Sequence, residues 1–239
     1  MTEINRKILT DDFSQFGLDV TDTQIGQLEE YMNYLLEMNK VMNLTAITDE
    51  KEFIVKHFVD SVSIIPALRK NNVKSLIDVG TGAGFPGVPV KIMCPDIHVC
   101  LIDSTGKRIR FLDEVIRRLG LTDIVTIQTR AEELGRNPEH REKYDAATAR
   151  AVAPLNSLLE YCMPFVKVGG HFISMKGMGE EPSFSYALKA LCGFFEGEEK
   201  YELKVDDEAI IHRNIYIKKT NILPTRYPRN TAIITKKPL

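Results

Sequence analysis

The densest chemical signal in the chain is Leu76-Ile77-Asp78-Val79-Gly80-Thr81-Gly82-Ala83-Gly84-Phe85-Pro86-Gly87, a carboxylate followed by four closely spaced glycines. An apolar run precedes it and a helical pattern with Pro86 near its first turn follows, so the segment reads as a strand-to-helix turn. Glycines at 80, 82 and 84 permit positive φ and put no Cβ in the way. Backbone N–H groups and the helix start can then face a bound ligand. About 25 positions after Asp78, at the end of the next strand, Asp103 is placed to accept hydrogen bonds from a ribose diol.

That pairing suits any adenosine-containing cofactor, and Gly82-x-Gly84-x-x-Gly87 also matches the dinucleotide fingerprint. Asp78 separates the two possibilities. A dinucleotide presents a pyrophosphate to the turn, and a carboxylate two residues before the first glycine would repel it in a partly desolvated crevice. S-adenosylmethionine carries cationic sulfonium and ammonium groups, for which the same carboxylate is favourable. The plainer reading is a carboxylate that only caps the turn's own N–H groups. Ala131 and Glu132 follow the third strand, where backbone groups can frame an adenine. Arg150 follows the fourth, on the ligand edge of an open α/β sheet. Surface salt bridging competes as a role for both Glu132 and Arg150.

The elements that position these residues are read from hydrophobic period. Thr21 and Gln24 form a capping box ahead of Ile25, Leu28, Met32 and Leu35, and Asp49 and Glu52 cap a second pattern through Ile54, Phe58, Val62 and Ile65. Two amphipathic helices therefore precede the sheet. From Lys74 short apolar runs alternate with helical stretches, which predicts βαβ units. Strands are expected at Ser75 to Val79, His98 to Ile102, Ile124 to Gln128, Asp145 to Ala149, His171 to Met175, Tyr201 to Val205 and Ile215 to Lys218. The clearest helix spans Lys107 to Leu119, with Gly120 as its C-terminal cap. Asp206 to Asn214 is short and polar, so the last two strands are expected to form an antiparallel hairpin. The expectation is a class I methyltransferase fold: α/β, Rossmann-like, seven mostly parallel strands ending in that hairpin. Its divisions would be a helical extension at 1–72, the sheet domain at 73–220 and a basic tail at 221–239.

Composition bounds the function class. The 239 residues are 44% hydrophobic and 27% charged, an ordinary globular balance. No apolar run approaches the ~18 residues of a membrane span, and Asp11, Asp12 and Asp19 stand where a secretory signal would be apolar. A cytosolic monomer without a membrane partner is expected. Cys94, Cys100, Cys162 and Cys192 show no C-x-x-C pairing and sit among apolar neighbours, which reads as buried reduced thiols with no metal site. A net charge of −2 does not announce nucleic acid, so local clusters must. Ala209 to Leu239 holds no acidic residue, while Arg213, Lys218, Lys219, Arg226, Arg229, Lys236 and Lys237 supply seven positive charges. On charge alone that stretch reads as a solvated, frayed tail.

Taken in order, Asn43-Leu-Thr, His57-Phe-Val-Asp60-Ser61, the turn from Asp78 to Gly87, Asp103-Ser-x-x-Lys107-Arg108-x-x-Phe111-Leu112, Arg130-Ala-Glu132, Arg150-Ala-Val-Ala and Lys176-Gly177 resemble the motifs of the RsmG (GidB) methyltransferases. That family modifies N7 of a guanine in 16S ribosomal RNA, and the resemblance spans nearly the whole chain. It implies that Gly80, Phe85, Ala131, Glu132 and Arg150 contact S-adenosylmethionine, with Asp103 on the ribose. The tail resembles the family's long-tailed form, except that Ala232 and Ile234 stand where glycine and proline would be usual.

Guanine N7 exposes an in-plane lone pair on its Hoogsteen edge, so methylation there needs no proton removed. No catalytic acid, base or nucleophile is assigned. Holding the reactants in line can contribute on the order of 7 to 11 kcal/mol. Nothing after the fourth strand resembles an Asn-Pro-Pro-Tyr motif, and Leu155, not a cysteine, follows Pro154. The histidines at 57, 98, 140, 171 and 212 are scattered and default to core or surface roles. Contact with 16S ribosomal RNA, or a small-subunit particle, would come from Lys107, Arg108, Arg110, Lys176 and the basic tail including Arg229. The competing classes are a methyltransferase acting on a small molecule or another RNA, a nicotinamide-dependent oxidoreductase and a non-catalytic RNA-binding module.

Overall fold

A computed structural model describes residues 2–150 and 153–239, the side chain of Ile4 apart. Helices α1 (Glu3–Ser14) and α2 (Asp22–Met42) come first. The Thr21 capping box forms as read, and Asn43 closes α2 in the left-handed region. The expectation of two helices before the sheet needs correction. Helix α1 hides in a charged segment and, among its described side chains, buries only Leu9 and Phe13 fully. The second pattern is a broken rod: α3 (Glu50–Phe53), a π-helical stretch at Ile54–Val59, α4 (Asp60–Val62) and α5 (Ile65–Lys70). Residues advance more slowly around a π-turn, and Pro66 opens α5.

The alternating elements follow: β1 (Ser75–Val79), α6 (Gly87–Met93), β2 (His98–Asp103), α7 (Gly106–Leu119), β3 (Ile124–Gln128), α8 (Ala131–Leu134), β4 (Tyr144–Arg150), α9 (Leu155–Cys162), β5 (Val166–Gly177), α10 (Ser185–Ala190), β6 (Gly193–Val205), β7 (Glu208–Lys219) and α11 (Thr231–Lys236). Gly120 ends α7 in the left-handed conformation, as expected of its cap. Among the described residues seven strands form one sheet in the order β3-β2-β1-β4-β5-β7-β6. β1 to β5 run parallel, and β7 inserts antiparallel between β5 and β6. This is the class I methyltransferase arrangement.

The hairpin is longer than its sequence suggested. Only Asp206 and Asp207 form the turn, and the polar stretch from Glu208 to Asn214 is already strand. Edge strand β6 starts at Gly193, with Phe194 and Phe195 exposed. An edge carrying solvent-facing side chains lacks the inward apolar period that marks a strand.

Two apolar clusters cover the two faces of the sheet. One joins α1, α2, the broken rod, α6 and α7 to the sheet, so the N-terminal helices share its core. The other packs α9 and α10 against the opposite face and includes Leu223 and Tyr227. The C-terminal segment is therefore docked, not frayed. Of the cysteines, Cys100 and Cys162 are buried, while Cys94 and Cys192 are only half-buried. No helix of the described residues is long and apolar enough to cross a membrane.

Candidate cofactor cleft

Parallel register sets Val79 beside Ile102 and Asp103 beside Gln128, and it sets Asp78 beside Thr148 one residue below that edge. The carboxyl ends of β1, β2 and β4 thereby open onto a cleft of about 560 Å³. Of the residues expected to hold a cofactor, Gly80, Asp103, Ala131, Glu132 and Arg150 line it. Asp78, Gly82 and Phe85 do not.

Asp78 is fully buried beneath the turn. Its Oδ2 accepts from Thr81 Oγ1 at 2.7 Å and from Gly87 N at 2.9 Å. The plainer reading of this residue, a cap for the turn's own donors, is thus present in the geometry. Its Oδ1, however, is buried with no hydrogen-bond partner among the described residues. Burial pushes the carboxyl up to about 6, against the Thr81 and Gly87 hydrogen bonds and the charge of Arg150.

The glycines divide by task, which corrects the reading that all of them serve a ligand. A Cβ on Gly84 would lie 2.6 Å from the Tyr31 hydroxyl, and one on Gly87 would lie 2.3 Å from Leu101 Cδ2. Those two let α2 and β2 pack against the turn. Gly82, at φ +63, could carry a Cβ that meets only the Gly80 carbonyl oxygen, at an unstrained 4.0 Å, and its N–H donates to Asp103 Oδ2 at 3.1 Å.

Asp103 is nearly buried and already engaged. Oδ1 accepts from Thr105 N at 2.8 Å, and Oδ2 also receives Arg108 Nη1 at 3.2 Å. Phe85 belongs to the core: its ring stacks on His57 at 4.5 Å and meets Tyr31, Phe53 and Phe58. It reaches the cleft only through Arg150, whose guanidinium lies over it at 5.0 Å.

Arg150 is held by a network that sequence reasoning missed. Its Nη1 donates to Asp60 Oδ2 at 2.9 Å and to the Lys56 carbonyl at 3.2 Å, and its Nη2 lies 3.3 Å from His57 Nδ1. Asp60 Oδ1 receives Tyr201 Oη at 2.9 Å and His212 Nδ1 at 2.7 Å. Burial works against the Asp60 charge, yet His212 and Arg150 together hold its carboxyl below the usual range. His57 is driven down to about 3 by burial and by the charge of Arg150, which Asp60 only partly offsets. It is a neutral ring bridging Arg150 to Thr45 Oγ1 at 2.8 Å. The only sequence signal was the run His57-Phe-Val-Asp60-Ser61. Ala151 and Val152, also in a quoted motif, lie outside the described residues.

The basic residues expected to meet RNA have different fates. Lys107 and Arg110 are exposed on α7, with Arg108 half-buried beside them. Lys176 is committed to Glu181 at 2.9 Å and the Ala153 carbonyl at 2.6 Å. Arg229 forks onto fully buried Glu160 at 2.6 to 3.0 Å. Buried or half-buried carboxylates already neutralise the last two, and each ties one element of the fold to another.

A family model described as rRNA small subunit methyltransferase G (GidB) matches residues 24–208. The "Ribosomal RNA small subunit methyltransferase G" of Acetivibrio thermocellus is 52% identical over 98% of this chain and 96% of that protein. The protein of the same name from Alkaliphilus metalliredigens is 46% identical over 98% and 99%. Among solved structures, the StiE O-MT segment shares 12% identity at a TM-score of 0.52, covering 70% of this chain and 75% of that one, a likeness of fold alone. With a model matching most of its length and relatives of this identity end to end, the chain belongs to the rRNA small subunit methyltransferase G (GidB) family.

Proposed function

We propose that this protein, acting as a cytosolic monomer, transfers a methyl group from S-adenosylmethionine to N7 of a guanine in 16S ribosomal RNA. The observation that carries the reading is the lining of the cleft in a chain of this family. A ribose-competent carboxylate, Asp103, and a fixed guanidinium, Arg150, stand at the strand ends, and the two carboxylates lining the cleft, Asp103 and Glu132, are already engaged by hydrogen bonds within the protein. Such a lining suits an acceptor that is already nucleophilic and does not suit one that must first be deprotonated.

The residues present fit the cofactor. The cleft volume is that of a small-molecule site, Gly82 leaves room for close approach, and the orphaned Asp78 Oδ1 gives the turn a negative character suited to a cation. Asp103 would hold the ribose, and the backbone at Ala131 and Glu132 the adenine. Bound there, the cofactor supplies an electrophilic methyl on a sulfonium. Arg150, clamped by Asp60, keeps a fixed positive charge beside the acceptor's path, while Lys107 and Arg110 offer exposed charge to phosphates. Catalysis then rests on orientation. Family membership favours this over the nicotinamide alternative.

The test is to incubate the protein and methyl-labelled cofactor with unmodified small-subunit RNA, or with the particle, and digest to nucleosides. Labelled 7-methylguanosine is expected. Label in any other nucleoside, or none in RNA, refutes the reading. In parallel, S-adenosylhomocysteine should raise the melting temperature and NAD(H) should not.

A further inference from the structure

The basic C-terminal segment, which on charge alone would float and grip RNA, lies beyond the end of the family match at residue 208. The structure gives it another position. Leu223 and Tyr227 are buried in the second core cluster. The Arg141 guanidinium donates to the carbonyls of Leu223 at 3.0 Å and Tyr227 at 2.9 Å, and Arg136 donates to that of Pro228 at 2.6 Å. Arg229 adds its backbone N–H to Glu160 at 2.7 Å, besides its side-chain fork. Each tie satisfies a polar group that would otherwise be stranded in a half-buried strap.

These ties fix α11 against α9, with Ile234 fully buried beneath it. Thr231 and Thr235, one turn apart, fall on the same helix face, and both line the cleft. Asp103, Ala131 and Glu132 line the same cleft. The Thr231 hydroxyl donates to Glu132 Oε1, so strap and loop are joined across the cleft's rim. The Thr235 hydroxyl is exposed and makes no hydrogen bond to any described residue.

We propose that α11 is a wall of the cofactor site, with Thr235 binding the adenosine half of the ligand and Thr231 positioning the Glu132 loop that frames it. This deepens the methyl-transfer reading and rests on it. The Thr235 hydroxyl supplies a direct hydrogen bond, and Thr231 sets the Glu132 side chain and with it the loop framing the base. Arg229 and Glu160 act only by holding the helix in place.

The experiment is calorimetry of Thr231→Val, Thr235→Val and the double variant with S-adenosylhomocysteine and with 5′-methylthioadenosine, which lacks the amino-acid half. The double variant should weaken both ligands by the same factor, about tenfold for one direct hydrogen bond and the lost tie from Thr231 to Glu132. Thr→Ser replacements, which keep the hydroxyls, should restore affinity to within about threefold even if the valine variants melt early. Affinity for small-subunit RNA at fixed salt should stay within about twofold. Unchanged ligand affinities in a folded double variant overturn the proposal, as does a loss confined to S-adenosylhomocysteine or a loss that serine does not rescue. Wild-type protein that binds neither ligand brings down the methyl-transfer reading itself, a result distinct from variants that bind like wild type.

Discussion

Asp78→Asn should make the ligand-free protein less sensitive to a rise in pH from roughly 4 to 6 while weakening cofactor binding. The Asp78 carboxyl is raised by burial from the ordinary 3.8 to about 6. In the unfolded chain the group ionises near its ordinary value, so between roughly pH 4 and 6 the folded state binds more protons, and stability falls as pH rises. At about 1.4 kcal/mol per pH unit the whole span costs the folded protein about 3 kcal/mol above pH 6. Below the unfolded value the penalty vanishes. Asparagine keeps the acceptor for Thr81 and Gly87, places an amide where Oδ1 is orphaned, and does not titrate. The offset between the two proteins includes about 1 to 3 kcal/mol for an unpartnered buried amide, but that offset does not change with pH. Urea unfolding at several pH values isolates the titration: the stability of Asp78→Asn relative to wild type should rise by about 2 to 3 kcal/mol from pH 4 to pH 8. Calorimetry at pH 8 should show S-adenosylhomocysteine affinity reduced by at least about tenfold, since the negative charge beneath the turn that favours a cationic ligand group is lost. A pH-independent difference would refute the buried, costly carboxylate. Undiminished ligand affinity would leave Asp78 as a cap and nothing more.

His57 runs in the opposite sense. Its folded value near 3 lies below the ordinary 6.5, so its contribution is complete at pH 8 and is lost on acidification, about 2 kcal/mol by pH 5, and His57→Gln should remove that acid sensitivity in the same unfolding series. Gly87→Ala places a methyl 2.3 Å from Leu101 Cδ2 and should cost about 1 to 3 kcal/mol of stability. Gly82→Ala, without a steric clash but at positive φ, should cost about 1 kcal/mol while reducing cofactor affinity more than tenfold; the reverse pattern in paired melting and calorimetry would undo the division of the glycines. Glu160→Gln strips the counter-charge from Arg229 and should lower the melting temperature by about 4 to 8 °C, the effect of about 2 kcal/mol in a chain of this size.

The sheet was legible because its strands are short apolar runs bounded by turn residues, and β1 and β3 fall at the residues expected of them. The cleft was legible as far as main-chain demands reach: Asp103 and Gly80 follow from strand ends and a glycine turn. What was hidden is of one physical kind. Arg150 meets Asp60 across 90 positions, Asp60 meets His212 across 152, and Arg229 meets Glu160 across 69. Hydrogen bonds over such separations leave no local period, and a count of positive charges in the tail cannot reveal a buried carboxylate on α9. Helix α1 stayed hidden for the opposite reason, since its charged face outweighs the few apolar residues it buries.

The Arg150 clamp gives the rest of the chain a reason to surround the cleft. A guanidinium on a strand end has several rotatable bonds, and its freedom must be removed if it is to present charge at one place. The π-helical stretch supplies the Lys56 carbonyl and the His57 ring at one position, and α4 supplies Asp60 just beyond it. A regular α-helix would rotate those three groups differently relative to one another. The hairpin supplies Tyr201 and His212 to the far oxygen of the same carboxylate. Helical extension, sheet and hairpin thus converge on one side chain, with the charge of Asp60 sustained by donors from three strands. The N-terminal helices are therefore part of the site's construction as well as of its core, and the precision available to an orientation-driven methyl transfer is set by how well these elements hold one another.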